Sequence, residues 1–149
     1  MAFSGATDDR LALRELLDTY ADAVVQRDPA QWGETWAQDA EWEMIGVPGF
    51  PNPKGRETIV KIWQGAIANF PGINFIAIPG TLKVNGDKAT GRSYVAEIFT
   101  DADNITHHAR GQYDDEFVKL DGQWFFQKRV YQILHTSSSA SAKKKEQNS

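Results

Sequence analysis

Apolar residues recur every three or four positions along the first half of the chain and every second position along most of the rest. Residues 7–27 read as a helix, because Leu13, Leu16, Leu17, Tyr20 and Val24 form one apolar stripe and Asp8 or Asp9 can cap it. Asp28-Pro29 starts a short second helix, an aspartate cap followed by proline at the first helical position, with Trp32 and Trp36 as its buried side. In AEWEMIGV at 40–47, Trp42 and Met44 alternate with Glu41 and Glu43, the pattern of a strand with one wet face. The proline-rich loop PGFPNPKG at 48–55 leads to a third helix over 56–70, where Ile59, Ile62, Trp63, Ala66, Ile67 and Phe70 share a face.

Four strands follow: INFIAIPGTLKV, KATGRSYVAEIFT, ITHHARGQYDDEFVKL and QWFFQKRVYQILH, separated by NGD, DADN and DG, all turn-forming. Helices segregated from consecutive antiparallel strands predict an α+β fold. A curved antiparallel sheet wrapped around the helices would form a cone with an apolar cavity. Residues 7–135 should make up this domain, with 1–6 as a flexible N-terminus. From 136 to 149, TSSSASAKKKEQNS lacks any apolar residue beyond alanine and is expected to be a disordered tail.

Composition narrows the function classes. A chain of 149 residues with 41% hydrophobic and 24% charged residues is long enough for one self-sufficient core. Five Trp and eight Phe supply large side chains for that core or for lining a cavity. The absence of cysteine excludes disulfides and thiolate chemistry. A net charge of −4, with the only basic run at Lys143–Lys145, argues against nucleic acid as a partner. MAFSGATDDR is not a secretion signal, and no stretch reaches the roughly 18 apolar residues of a membrane helix, so a cytoplasmic protein with no membrane partner is expected. No metal site is expected, since His107 and His108 point to opposite faces of a strand. No glycine-rich loop joins a strand to a helix for phosphates, and no cofactor is expected.

YADAVVQRDPAQW, WAQDAEWEM, KGRETI and FVKLDGQWFF, in that order and spacing, resemble the SnoaL-like group of the nuclear-transport-factor-2-like superfamily, from about Thr7 to Ile133. Within it the chain is similar to scytalone dehydratase-like proteins. The resemblance implies a cystatin-like α+β barrel and a cofactor-free elimination driven by an Asp–His pair inside the cone. It also puts hydrocarbon where that chemistry should sit. The aspartate's position falls at Val25, the tyrosine before it at Val24, and a second tyrosine at Met44. The partner histidine falls near Ile76, a second histidine at Phe99, and an asparagine at Tyr113. The implied pocket is lined by Val24, Val25, Met44, Trp63, Ile76, Phe99 and Tyr113.

Three acidic residues near the lost aspartate offer little replacement. Asp18 and Asp22 lie opposite the apolar stripe, and Asp28 is a helix cap. Glu97 is the stronger candidate, on the face (Ser93, Val95, Glu97, Phe99) that the resemblance turns inward. A three-residue turn would set it against His107, at the Cβ separation of about 4.5–5.5 Å that suits a carboxylate–imidazole bond. Tyr113 would share that face. A four-residue turn would bring His108 opposite instead, and Tyr94, Ala96 and Ile98 offer an alternative inner face that leaves Glu97 outside. The expected activity is a cofactor-free lyase or isomerase on a hydrophobic cyclic compound, with Glu97 as base, His107 as proton partner and Tyr113 stabilising an enolate-like oxygen. The alternatives are a non-catalytic ligand-binding protein or an oligomeric subunit. Pairing through the open sheet face would give a homodimer or homotrimer.

Overall fold

The structure, a computed structural model, describes residues 1–139. Its elements are β1 (Phe3–Ser4), α1 (Thr7–Gln26), α2 (Pro29–Glu34), β2 (Trp36–Ile45), α3 (Arg56–Ile67), β3 (Gly72–Asn85), β4 (Lys88–Thr100), β5 (Thr106–Leu120) and β6 (Gln123–Ser138). One curved six-stranded sheet has the order β1-β3-β4-β5-β6-β2. The expected antiparallel meander of β3 to β6 is present, but both outer strands pair in parallel, β1 with β3 and β2 with β6. The sheet is therefore mixed, and with β1 and β2 as free edges it is not closed. The architecture is α+β.

Helix α1 buries Leu13, Leu17, Tyr20, Ala23 and Val24, the predicted stripe with Leu16 only half-buried. Neither Asp8 nor Asp9 caps it; the cap position is Ala6, which has no side-chain bond to offer. Asp9 Oδ1 instead accepts from Trp124 Nε1 at 2.9 Å and Lys119 Nζ at 3.0 Å, fastening the helix start to the β5–β6 hairpin. These bonds, that of Trp124 foremost, hold the Asp9 carboxyl below its ordinary pKa. Asp28 does cap α2, its Oδ1 accepting from the N–H groups of Ala30 and Gln31 at 3.0 Å each. Trp36 belongs to β2 rather than to α2, because α2 ends at Glu34. Arg27, in the left-handed region at φ 58°, turns its guanidinium to donate to the carbonyls of Ile67 and Phe70 at the end of α3.

Strand pairing extends further at both ends than the sequence pattern suggested. Within the first six residues, Phe3 and Ser4 pair with Leu82 and Lys83. Gly5 makes this possible, because a Cβ there would collide with Val84. At the other end β6 continues to Ser138, with Thr136, Ser137 and Ser138 opposite Ala109, His108 and His107. Backbone pairing needs no apolar side chain, which is why composition missed it. The remainder of the expected tail, 140–149, lies outside the described residues.

The core is mostly aromatic. Tyr20 packs against the rings of Trp32, Trp36, Phe75, Tyr113 and Phe126 with centroids 5.3–6.3 Å away, and Trp32 stacks on Trp63 at 4.4 Å. Among these rings lies a fully buried cation. Arg129 donates through Nε and Nη2 to both oxygens of Asp115, at 2.8 and 3.0 Å, and through Nη2 to Ser93 Oγ at 3.2 Å. Its Cζ sits 3.7 Å from the Tyr113 ring centre, 4.1 Å from that of Phe126 and 4.4 Å from that of Tyr20. Burial is the largest single influence and disfavours the Arg129 charge, but the Asp115 carboxylate, its hydrogen bond and the Tyr20 and Tyr113 phenols together outweigh it and raise the guanidinium's pKa. Removing one member of such a pair strands the other without solvent. Asp115→Ala should cost about 3–5 kcal/mol in urea unfolding at neutral pH, and Asp115→Leu combined with Arg129→Met should recover most of it.

Candidate functional site

The concave face of the sheet divides into a filled narrow end and a more open wide end. Ser93, Tyr113, Asp115, Arg129 and Tyr131 occupy the former, all buried. Further along the same strands, the facing positions are Phe75, Glu97 and Ala109 in one row and Ile73, Phe99 and His107 in the next. Glu97 faces inward, since its strand neighbours Tyr94, Ala96 and Ile98 are exposed on the other side. The β4–β5 turn decides what stands opposite it.

That turn spans five residues, not three or four. Asp101 Oδ1 accepts from the N–H groups of Asp103 at 2.9 Å and Ile105 at 3.0 Å, and Asn104 adopts φ 60°. The added residues slide the register, so Ala109 stands opposite Glu97 and His107 opposite Phe99. The expected Glu97–His107 bond does not form. His107 Nε2 instead lies 2.8 Å from Asp101 Oδ2, with its ring stacked on Phe99 at 5.0 Å and 17°. Phe99 in turn meets Phe70 at 4.7 Å. The bond to His107, followed by the backbone donor Ile105, holds the Asp101 carboxyl below its ordinary pKa. His107 remains a diagonal neighbour of Glu97 on the same face, roughly 7–8 Å away by sheet geometry. His108 points outward, opposite Ile98.

The partner that Glu97 does have is Tyr131, whose hydroxyl donates to Oε2 at 3.4 Å. Tyr131 reaches it by lying across Gly111, where a Cβ would overlap the phenol ring itself. Glycine is therefore required there by close approach. Burial pushes the Glu97 carboxyl up to about 7, against the lowering effect of the Tyr131 bond. Burial also raises the phenols of Tyr20, Tyr113 and Tyr131, with the Glu97 charge adding to each. Tyr20 and Tyr113 share a hydroxyl–hydroxyl contact of 3.4 Å, and the Tyr113 and Tyr131 rings lie 4.8 Å apart. A carboxyl poised near neutrality beside three protonated phenols can take up a proton and leave developing negative charge beside hydrogen-bond donors.

The expected lining is only partly brought together. Phe99, Tyr113 and Met44 face the concavity, with Tyr113 at its floor and Met44 beside Tyr131. Val24 and Trp63 are buried in the core, Trp63 against Trp32. Val25 is not a lining residue: it lies next round the helix from Val24 and is 38% exposed. Ile76 is not one either. It pairs with Ala96 on the outer face and is 60% exposed, while Phe75 takes the inward position. Asp18 and Asp22 are exposed. Sequence reasoning missed Tyr131, Asp101, Gly111 and the Arg129–Asp115 pair; the Asp at the head of DADN was the available signal for the β4–β5 turn. Clefts of about 570 and 740 Å³ lie elsewhere, around Lys83, Thr90 and Glu116, with mixed charges. Among the described residues no three His, Cys, Asp or Glu gather as metal ligands. No described helix is long and apolar enough to cross a membrane.

Residues 5–130 match the SnoaL-like domain family. Among solved structures, the fold is similar to a protein assigned as a scytalone dehydratase from Novosphingobium aromaticivorans, at 24% identity and TM-score 0.78 over 87% of this chain and 86% of that one. It is similar to one assigned as an aromatic ring hydroxylase from the same organism, at 22% identity and TM-score 0.82 over 93% and 98%. It is also similar to the hexachlorocyclohexane dehydrochlorinase LinA-type3 of Novosphingobium barchaimii, at 21% identity and TM-score 0.74 over 89% and 91%. No protein of curated function matches the sequence.

Ionising Glu97 in the folded state carries a penalty with a definite pH window. Its pKa rises from 4.5 to about 7 on folding, so between these values the folded chain holds a proton that the unfolded chain has released. Stability should fall by roughly 3 kcal/mol from pH 4.5 to 7 on this account and level off above. Urea unfolding across that range should show the decline in the wild type, and Glu97→Gln should remove this component.

Proposed function

The chain belongs to the SnoaL-like family of the nuclear-transport-factor-2-like superfamily, and on that footing we propose that it is a small-molecule protein of lyase or isomerase type, working without a cofactor on a hydrophobic cyclic compound. The observation that carries this reading is the inward-facing Glu97, half-ionised near neutral pH and hydrogen-bonded by a phenol. In a dehydration, Glu97 removes a proton from carbon and the released electron pair forms the new double bond. The departing hydroxide takes a proton from His107 and leaves as water. Asp101 orients His107 for that transfer. Tyr131 holds Glu97 through its hydroxyl, and Tyr113, whose ring lies against Tyr131, is the donor to an oxygen that gains charge. In an isomerisation the same carboxyl returns its proton to a different carbon.

A second reading is favoured by the apolar substitutions. With Val24 buried and Val25 at the positions the resemblance gives to polar catalytic groups, the site is also suited to holding a ligand unchanged. The two are separated by proton exchange. Ligand released from the purified protein by mild denaturation and identified by mass spectrometry is incubated in D2O with wild type and with Glu97→Gln. Wild-type protein should introduce deuterium at least about 100-fold faster than the variant. Equal rates would leave a binding protein.

A further inference from the structure

Glu97 is a carboxylate without a counter-ion. Among the described residues its hydrogen-bond partner is the neutral Tyr131 hydroxyl, bound through Oε2, and no Lys, Arg or His contacts it. The nearby guanidinium and imidazole are already engaged: Arg129 is locked to Asp115, and His107 to Asp101. Among the described residues the inward carboxylates Asp115 and Asp101 thus have a guanidinium or imidazole partner, and Glu97 has a phenol alone. Its neighbours are aromatic residues. Phe75 stands opposite it in the sheet, Phe99 lies two residues along on the same side, and Tyr131 is bonded to it. The adjoining positions on β5 are Ala109 and Gly111, the smallest side chains available, so space beside the carboxyl is limited by rings and not by β5 side chains.

From this arrangement we propose that the ligand of the site carries a basic nitrogen, whose ammonium group pairs with Glu97 while its hydrocarbon rings lie against the part-exposed Phe99. This rests on the reading of the wide end of the concave face as the ligand site. The physics is complementarity twice over. A cation supplies the missing counter-charge, and wherever it meets the face of a neighbouring ring it is attracted there as well. A neutral ligand of equal shape gains neither effect and leaves the carboxylate desolvated. Because an ammonium beside it favours the ionised carboxyl, occupancy would also lower the raised pKa of Glu97.

A matched pair of probes tests this. 1-Naphthylmethylamine and 1-naphthylmethanol differ in one group, ammonium against hydroxyl, at about pH 8, and their binding is followed by quenching of the tryptophan fluorescence. In the wild type the amine should bind about tenfold or more tightly than the alcohol. In Glu97→Gln, which keeps the side chain's size, that preference should collapse while the alcohol's affinity changes little. Equal affinities in the wild type would overturn the basic-nitrogen assignment and leave the pocket standing. A preference that survives in Glu97→Gln would overturn it too, placing the cation elsewhere. If neither probe binds at millimolar concentration, the pocket reading falls with it.

Discussion

A single buried guanidinium organises the narrow end of this molecule. Arg129 touches three strands and a helix at once: Asp115 and Tyr113 on β5, Ser93 on β4, its own β6, and Tyr20 from α1. Such a group tolerates no slippage. A shift of one residue in β6 would carry Arg129 to the opposite face and leave Asp115 buried alone. The pair thus acts on the choice of register more than on net stability, since its desolvation offsets much of its attraction. The same register determines where Tyr131, two residues on, can reach.

From that fixed end the concave face leads to a partly exposed rim. Tyr20 and its surrounding rings fill what a cone with an apolar hollow would have left empty, so the accessible part of the concave face is the rim carrying Glu97, Phe99 and His107. Two carboxylates with contrasting surroundings stand there. Asp101 is bonded by two backbone N–H groups and a histidine and stays charged. Glu97, with one phenol and little water, is held near the point of change. Environment, not residue type, sets their opposite pKa shifts.

The helical stripes, the cap at Asp28 and the four long strands were legible in the sequence because each depends on local periodicity or turn chemistry. The parallel pairings of β1 and β2 were not, because edge pairing is decided by backbone groups distant in sequence. Glu97's orientation could be anticipated from the alternation in SYVAEIFT once an inward face was assigned. Its partner could not, because register across a hairpin depends on turn length, and Asp101 lengthens the turn by folding its own carboxyl over it. Ile76 went astray through the parity of one residue on β3. Val25 shows the same sensitivity on a helix, where one step rotates a side chain by about 100°. Arg129 is invisible to any hydrophobic pattern, since a buried cation is identified only by the rings and acid that surround it.

The last residues of β6 have a bearing on the rim. Thr136 to Ser138 run beside Ala109 to His107, and Ser139 Oγ accepts from the Thr106 N–H at 3.2 Å. These polar residues are the scaffolding on one side of the hairpin that presents Asp101 and His107. A chain clipped after His135 would keep its aromatic heart yet leave the start of β5 as a bare edge, free to fray. The serine-rich stretch, bland in composition, thereby sets how firmly the imidazole is aimed.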